Sequence, residues 1–557
     1  MSPSICGAPI RTDREEPLVA HRKLAGAVSL TAAGALILSS CAPTDDNGDD
    51  GNGEAEAVEG GGTVSIYNCE PQELTPGNSS EVCGSKILEQ LFTGLTTVDY
   101  DTNEPAAGVA EEWETDDNIT WTFTLGEDWT FHNGDELTAQ NFVDTWNWTV
   151  DPDNAQGGAG FFDKIQGYDE VVDGDADEME GLTAVDDHTL EVELDEPFSP
   201  FATMVSYTAF YPMPDEAFDD IDAFESAPVG NGRYQMDGEW EHDVAVNMDR
   251  FEEWAGDEPG EPERIEWSIY SDVDTAYMDV QAGDLDVLDN APPNRFESLD
   301  SDFGDNWVAS ETSSFTYLGF PMYQDEFEDV DVRHAISKAI DREELMEVIF
   351  DDRNTAAYNI IPPTLPQGRE DACGENCEYD PDAARDMYED ADGPSELTFY
   401  FNSGAGHEEW VEAIANQLQE NLGVEDVNFE SLEFAQYLDL HEEENITGPY
   451  RLGWVLSYPS PQYAMEPIYT TDADSNYFQY SSDEFDGLIQ DANSATEEDE
   501  ADSLYQEAED VLLEDMPAVP LFFQDFNTVY SDRIDGDSVT VDPRTFLRAE
   551  QIVVTEE

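Results

Sequence analysis

Residues 263–293, ERIEWSIYSDVDTAYMDVQAGDLDVLDNAPP, change their hydrophobic period twice. Ile265, Trp267 and Ile269 alternate with polar residues, the repeat of a strand with one buried face. Ala276, Val280 and Ala282 then recur on a helix, and Gly283 supplies its stop, because a residue without Cβ readily takes the left-handed conformation that ends helices. Leu285, Val287 and Leu288 form a second short strand. A strand-helix-strand unit is the building block of a sheet covered by helices, so the chain is constrained to an α/β class.

Alternation of strand and helix recurs elsewhere. TVSIYN precedes the helix of SKILEQLFTGL, and GNGRYQMDGEWEHDVAVNMD (230–249) reads as a strand pair. GLTAVDDHTLEVELDEP (181–197) reads as a hairpin with Val185, Leu190, Val192 and Leu194 inward. VDVRHAISKAIDREELMEVIF (330–350) is an amphipathic helix pair, SELTFYFNSGAGHEEWVEAIANQLQENLG (395–423) is strand, loop and helix, and DSLYQEAEDVLLEDMPAVPLFF (502–523) is a helix returning to a strand. In WTFTLGEDWTFHNGDELTAQNFVDTW (121–146), Trp121, Phe123 and Leu125 mark one strand and Trp129 and Phe131 open a second. Asn133-Gly134 turns the chain, and Thr138 caps a helix carrying Phe142, Val143 and Trp146 on one face.

Charge narrows the partners. The chain carries 131 acidic against 20 basic residues over 557 positions, net −111. Nucleic acid is excluded, since phosphate binding needs clustered cations, and anionic lipid is disfavoured for the same reason. The acids are spread along the whole length, which fits a hydrated surface suited to high salt, where counterions screen self-repulsion.

HRKLAGAVSLTAAGALILSSC (21–41) has a basic start and an apolar run too short to span a bilayer comfortably, and reads as a signal peptide over 1–40. Leu38-Ser39-Ser40-Cys41 resembles a bacterial lipobox, so Cys41 is the expected lipidation site and first mature residue. Residues 41–61, rich in Gly, Asp and Glu, form an acidic flexible tether. Exported chains keep disulfides. Cys69, Cys83, Cys373 and Cys377 allow three pairings, of which 69–83 and 373–377 are the simplest; a zinc site lacks a Cys-x-x-Cys or a nearby His.

No catalytic constellation emerges. GHEEW (406–410) starts like a zinc-protease motif, but position 411 is Val. DGDADEME (173–180) lacks the glycine of a calcium loop, and no nucleophile elbow or phosphate-cradling loop is present. The expectation is no metal, no cofactor and no enzyme activity. An α/β chain with a lipid tether and no reacting groups fits an extracytoplasmic solute-binding protein.

Several segments sharpen this. TWTFTLGEDWTFHNGDELTAQNFVDTW, VQAGDLDVL (280–288), VRHAISKAIDREELMEVIF (332–350), LGWVLSYPSPQYAMEPIY (452–469) and MPAVPLFF (516–523) resemble, in order, segments of the extracellular solute-binding family 5, the oligopeptide- and dipeptide-binding subunits of ABC importers. The resemblance implies a two-lobed, periplasmic-binding-protein-like type II fold (a Venus flytrap) with an extra subdomain inserted in the first lobe. It maps lobe I to 62–105, 209–312 and 516–557, the inserted subdomain to 106–208, and lobe II to 313–515. It implies a monomer on the outer face of the membrane, anchored through Cys41, that hands oligopeptides to the transmembrane subunits of an ABC permease.

The resemblance also names a site. Glu70 falls where the first strand turns toward ligand, Phe161 and Phe162 where the inserted subdomain reaches the cleft, and Arg451, Gly453, Trp454, Val455, Ser457 and Tyr458 in the ligand-facing segment. Arg451 is either a fork for a ligand carboxylate or the partner of a local acid, and Trp454 and Tyr458 either wall the cleft or pack. Family peptide binders show Ala-Asp-Tyr where this chain has Leu456-Ser457-Tyr458, so the acid that pairs with a ligand amino group is missing here and Glu70 is nominated in its place. Oligosaccharide, a nickel chelate or another solute are alternative cargoes, and a cell-wall hydrolase or a surface structural protein is the alternative of another class.

Overall fold

The computed structural model describes residues 57–58, 61–79, 81–100 and 102–555; Cys41, the signal segment and most of the tether lie outside them. Two large sheets dominate. In the first, seven strands lie in the order 307–310, 526–530, 287–288, 63–68, 264–269, 245–250 and 234–236. In the second, six lie in the order 355–356, 518–523, 315–319, 450–454, 396–402 and 426–432. Each has its own buried cluster, so the protein is a two-lobed α/β molecule.

The strand-helix-strand segment forms as its periods require. Arg264–Ile269 leads to the helix Val273–Ala282, Gly283 closes it at φ 76°, and Val287–Leu288 follows. Thr63–Asn68 runs parallel to Arg264–Ile269 over all six residues, a pairing that local sequence does not announce. The chain passes between the sheets twice, at 311–314 and 524–525, as adjacent extensions of paired strands. Ala518–Phe523, expected to open the last part of lobe I at 516, belongs instead to the six-stranded sheet, buried along its length between Thr355–Ala356 and Phe315–Gly319. Its register shifts opposite Thr316 and Tyr317, beside Pro520, which has no N–H to give the ladder.

A four-stranded sheet of Ala110–Glu114, Thr120–Leu125, Thr189–Glu193 and Leu182–Asp186 makes a third layer. The helix Ala139–Val150 packs on it, its start closed by the reciprocal Thr138 and Asn141 capping box. Phe142 and Trp146 are buried in the same cluster as the sheet's Trp121 and Phe123, and the Trp146 indole N–H donates to Phe210 O at 2.9 Å. Two expectations change here. Val185 is 55% exposed, because the register slips between Ala184 and Asp186 and turns it outward. Trp129 and Phe131 are buried but flank a single Thr130–Glu136 bridge, not a strand.

The four cysteines form Cys69–Cys83 and Cys373–Cys377. The first ties the end of Thr63–Asn68 to the start of the helix Val82–Leu91 across 14 positions. Replacing both Cys69 and Cys83 by alanine should lower the unfolding free energy by about 3 kcal/mol in denaturant titration, because the unfolded chain regains the freedom of that loop.

Candidate functional site

The strand Tyr450–Trp454 alternates buried Tyr450 and Leu452 with Arg451 and Gly453. One edge is fully paired, from Phe315↔Trp454 to Gly319↔Tyr450. On the other edge the parallel strand Glu396–Asn402 pairs only at Tyr400↔Tyr450. Beyond Tyr450 the strand is therefore ladder-paired on one side only. Gly453 is required for closeness: a Cβ there would stand 2.8 Å from Phe315 O and 3.4 Å from Arg451 Nη2.

Arg451 lies at this edge, where the Tyr437 hydroxyl donates to Arg451 O at 2.7 Å, so the carbonyl and amide groups past Arg451 are the ones left without a ladder partner. Its Nη1 donates to Asn402 Oδ1 at 3.2 Å, its Nε is buried without an acceptor, and among the described residues it forms no ion pair. The local-acid alternative for Arg451 is thus removed, notable in a chain with 131 carboxylates. Burial holds its pKa below the usual guanidinium value, opposed by the Tyr437 and Tyr317 phenols. His407, the histidine of the GHEEW stretch, stands close enough to feel this charge: burial first and Arg451 second pull it from 6.5 to about 3. The Trp410 indole N–H donates to His407 Nδ1 at 3.3 Å, which leaves the imidazole proton on Nε2. The folded protein refuses a proton that the unfolded chain accepts below 6.5, so this contribution to stability is present at neutral pH and declines as pH falls toward 3. The His407 carbon resonances should not move between about pH 7.5 and 5 in histidine-labelled NMR, since neutral imidazole there is held well below its ordinary titration range.

The next segment converges with the four-stranded layer. Phe161, Tyr458 and Tyr463 line a cavity of about 510 Å³ with Lys164 and Glu466. Phe161 lies 4.6 Å from Tyr207 and 6.3 Å from Tyr463, ring centre to ring centre. The Trp454 indole N–H donates to Tyr463 O at 3.0 Å, and the Ser457 hydroxyl to Tyr463 Oη at 3.1 Å. Tyr458 is buried and donates to Gln462 Oε1 at 2.8 Å, both residues lining the cavity. Val455 is exposed. Phe162 is not at the site: it is fully buried against Trp146 and Phe210, the adjacent ring of its short turn pointing inward where Phe161 points out.

Glu70 follows the first strand of the other lobe, whose edge toward Val287 pairs only at Ile66. It lines a separate cavity of about 580 Å³ with Tyr67 and Tyr270. Its carboxylate accepts from the Asp243 N–H at 2.8 Å and sits 2.9 Å from His242 Nδ1. The nominated free acid is thus already engaged. Sequence reasoning missed His407, Asn402, Tyr463 and the Lys164–Glu466 pair at 3.1 Å; the one available signal was that Lys164 is among the few lysines of the chain.

The model of the bacterial extracellular solute-binding proteins, family 5 Middle, matches residues 104–476. The chain belongs to this family. Among family 5 relatives, the oligopeptide-binding protein OppA of Bacillus subtilis is 25% identical over 532 residues, covering 91% of this chain and 96% of OppA. The periplasmic OppA of Escherichia coli is 26% identical over 468 residues, 82% and 85% of the two chains. The unliganded open form of the murein tripeptide binding protein MppA superposes with a TM-score of 0.78 at 22% identity, over 91% of this chain and 99% of MppA. Haemophilus influenzae OppA in complex with RPPGFSPFR gives 0.69 at 22% identity, over 90% and 100%. These relatives are binding proteins. Among the described residues no helix is long and apolar enough to cross a membrane, and no group of three or more His, Cys, Asp or Glu is placed to hold a metal ion.

Proposed function

We propose that this family 5 protein captures oligopeptides between its lobes and delivers them to the transmembrane subunits of an ABC permease. One observation carries the reading: a half-paired strand edge beside a guanidinium that meets no acid among the described residues. An extended peptide adds its backbone to such an edge, and its carboxylate completes the charge-assisted fork that Arg451 lacks, with the His407 imidazole nearby. Relatives named for oligopeptide and dipeptide binding support it. The lobes close by bending at the two crossings, stabilised by ligand contacts made with both. The sequence at 38–41 supports a lipid anchor on Cys41 at the outer face of the membrane. Calorimetry with defined pools of di- to pentapeptides should give submicromolar to micromolar binding. Absence of heat with every pool would refute the peptide assignment, and mass spectrometry of solute carried through purification would then name the cargo.

A further inference from the structure

A helix end leaves its last carbonyls without intrahelical donors. The helix Asp483–Ser494 of the six-stranded lobe receives those donors from the four-stranded layer, far away in sequence. The Ser199 N–H donates to Asn493 O at 2.8 Å, the Ser199 hydroxyl to Ala492 O at 3.3 Å, and Asn118 Nδ2 to Ala495 O at 2.7 Å. Asn118 is buried, held at a left-handed φ of 57°, and fixed to Ser199's neighbour by a Phe198 N–H bond of 2.9 Å to Asn118 O. The contact continues inward: Asn493 Nδ2 donates to Glu466 Oε2 at 2.9 Å, and Glu466 Oε1 meets Lys164 of the four-stranded layer.

We infer that this cross-capped helix end is a clasp that holds the four-stranded layer on the six-stranded lobe before any ligand arrives. The three bonds to the helix end join neutral backbone, amide and hydroxyl groups, and charge enters only at Glu466, which meets Asn493 and Lys164, so the clasp survives salt that screens surface charge. Water can replace each bond when the clasp opens, which makes it reversible rather than a permanent weld. Its consequence for binding rests on the cleft reading above: a clasp that populates the closed arrangement raises apparent affinity by the fraction of molecules it keeps competent.

The Ser199 amide reports the clasp directly, and the Asn118→Gly, Ser199→Ala double variant removes two of the three donors while keeping the left-handed position and that amide. In ligand-free full-length protein, hydrogen exchange should show the wild-type Ser199 amide protected and exchanging at least about tenfold faster in the variant, and small-angle scattering should show the ligand-free variant more open. A di- to pentapeptide pool should bind the variant about tenfold more weakly, a size of effect ordinary for a coupled conformational equilibrium. Free exchange of Ser199 in the wild type, identical scattering of the two proteins, or equal peptide affinity after protection is lost would each overturn the clasp. Absence of peptide binding to the wild type would instead count against the peptide reading, leaving the exchange and scattering results to decide the clasp.

Discussion

Arg451→Met is expected to weaken ligand binding on the order of 100-fold or more while leaving the thermal midpoint unchanged or raised. The two outcomes come from one fact. Among the described residues the guanidinium has a single side-chain partner, Asn402, an unpartnered Nε and no acid, so the protein gains little from the charge it buries. Replacing such a group by an apolar one of similar length removes a desolvation cost. The bound complex loses the opposite: a ligand carboxylate would be left against Met in a half-dry cleft, and truncating one member of a hydrogen-bonded charge pair costs roughly 2–5 kcal/mol. Arg451→Lys should also bind weakly, because a point charge cannot reproduce the planar fork. Calorimetry and thermal melts of the three proteins decide it. Unchanged affinity in Arg451→Met would remove Arg451 from the site, and a fall in midpoint with unchanged affinity would make it a structural residue.

The second large effect is salt. With a net charge of −111, the folded chain repels itself at low ionic strength. Raising chloride from about 0.01 M to 1 M shortens the screening length from roughly 30 Å to 3 Å. The melting midpoint should rise over that range by on the order of 10 °C, corresponding to several kcal/mol for a chain of this size. Sucrose, which strengthens burial by exclusion without screening charge, should do markedly less. Buried pairs are not the origin: Arg544, 4% exposed, meets Glu89 at 3.2 Å and Asp542 at 2.9 Å, shielded from mobile ions. A midpoint that is flat in chloride would show that the acidic surface carries little folding strain.

Local features were legible because their causes are local. The Thr138 cap, the Gly283 stop and the two helices Val330–Lys338 and Arg342–Ile349 follow from residues within a few positions of one another. The hairpin was legible except at Val185, where a register slip, which no pattern in that stretch signals, reverses one side chain. The aromatic stretch 161–162 shows the limit: two identical residues, one walling a cavity and one filling a core, separated only by the direction of a short turn.

The sequence by itself determined the α/β class, most of the helices and strands, the sign and spread of the charge, and the segments that resemble family 5. Only the tertiary structure decided which side chains are free to act. Glu70 is engaged by His242, 172 positions away, and among the described residues the Arg451 guanidinium has only Asn402 as a side-chain partner, 49 positions away. Periodicity and capping arise from neighbours along the chain, whereas the presence or absence of a counter-charge is fixed by whichever distant strand the fold brings alongside.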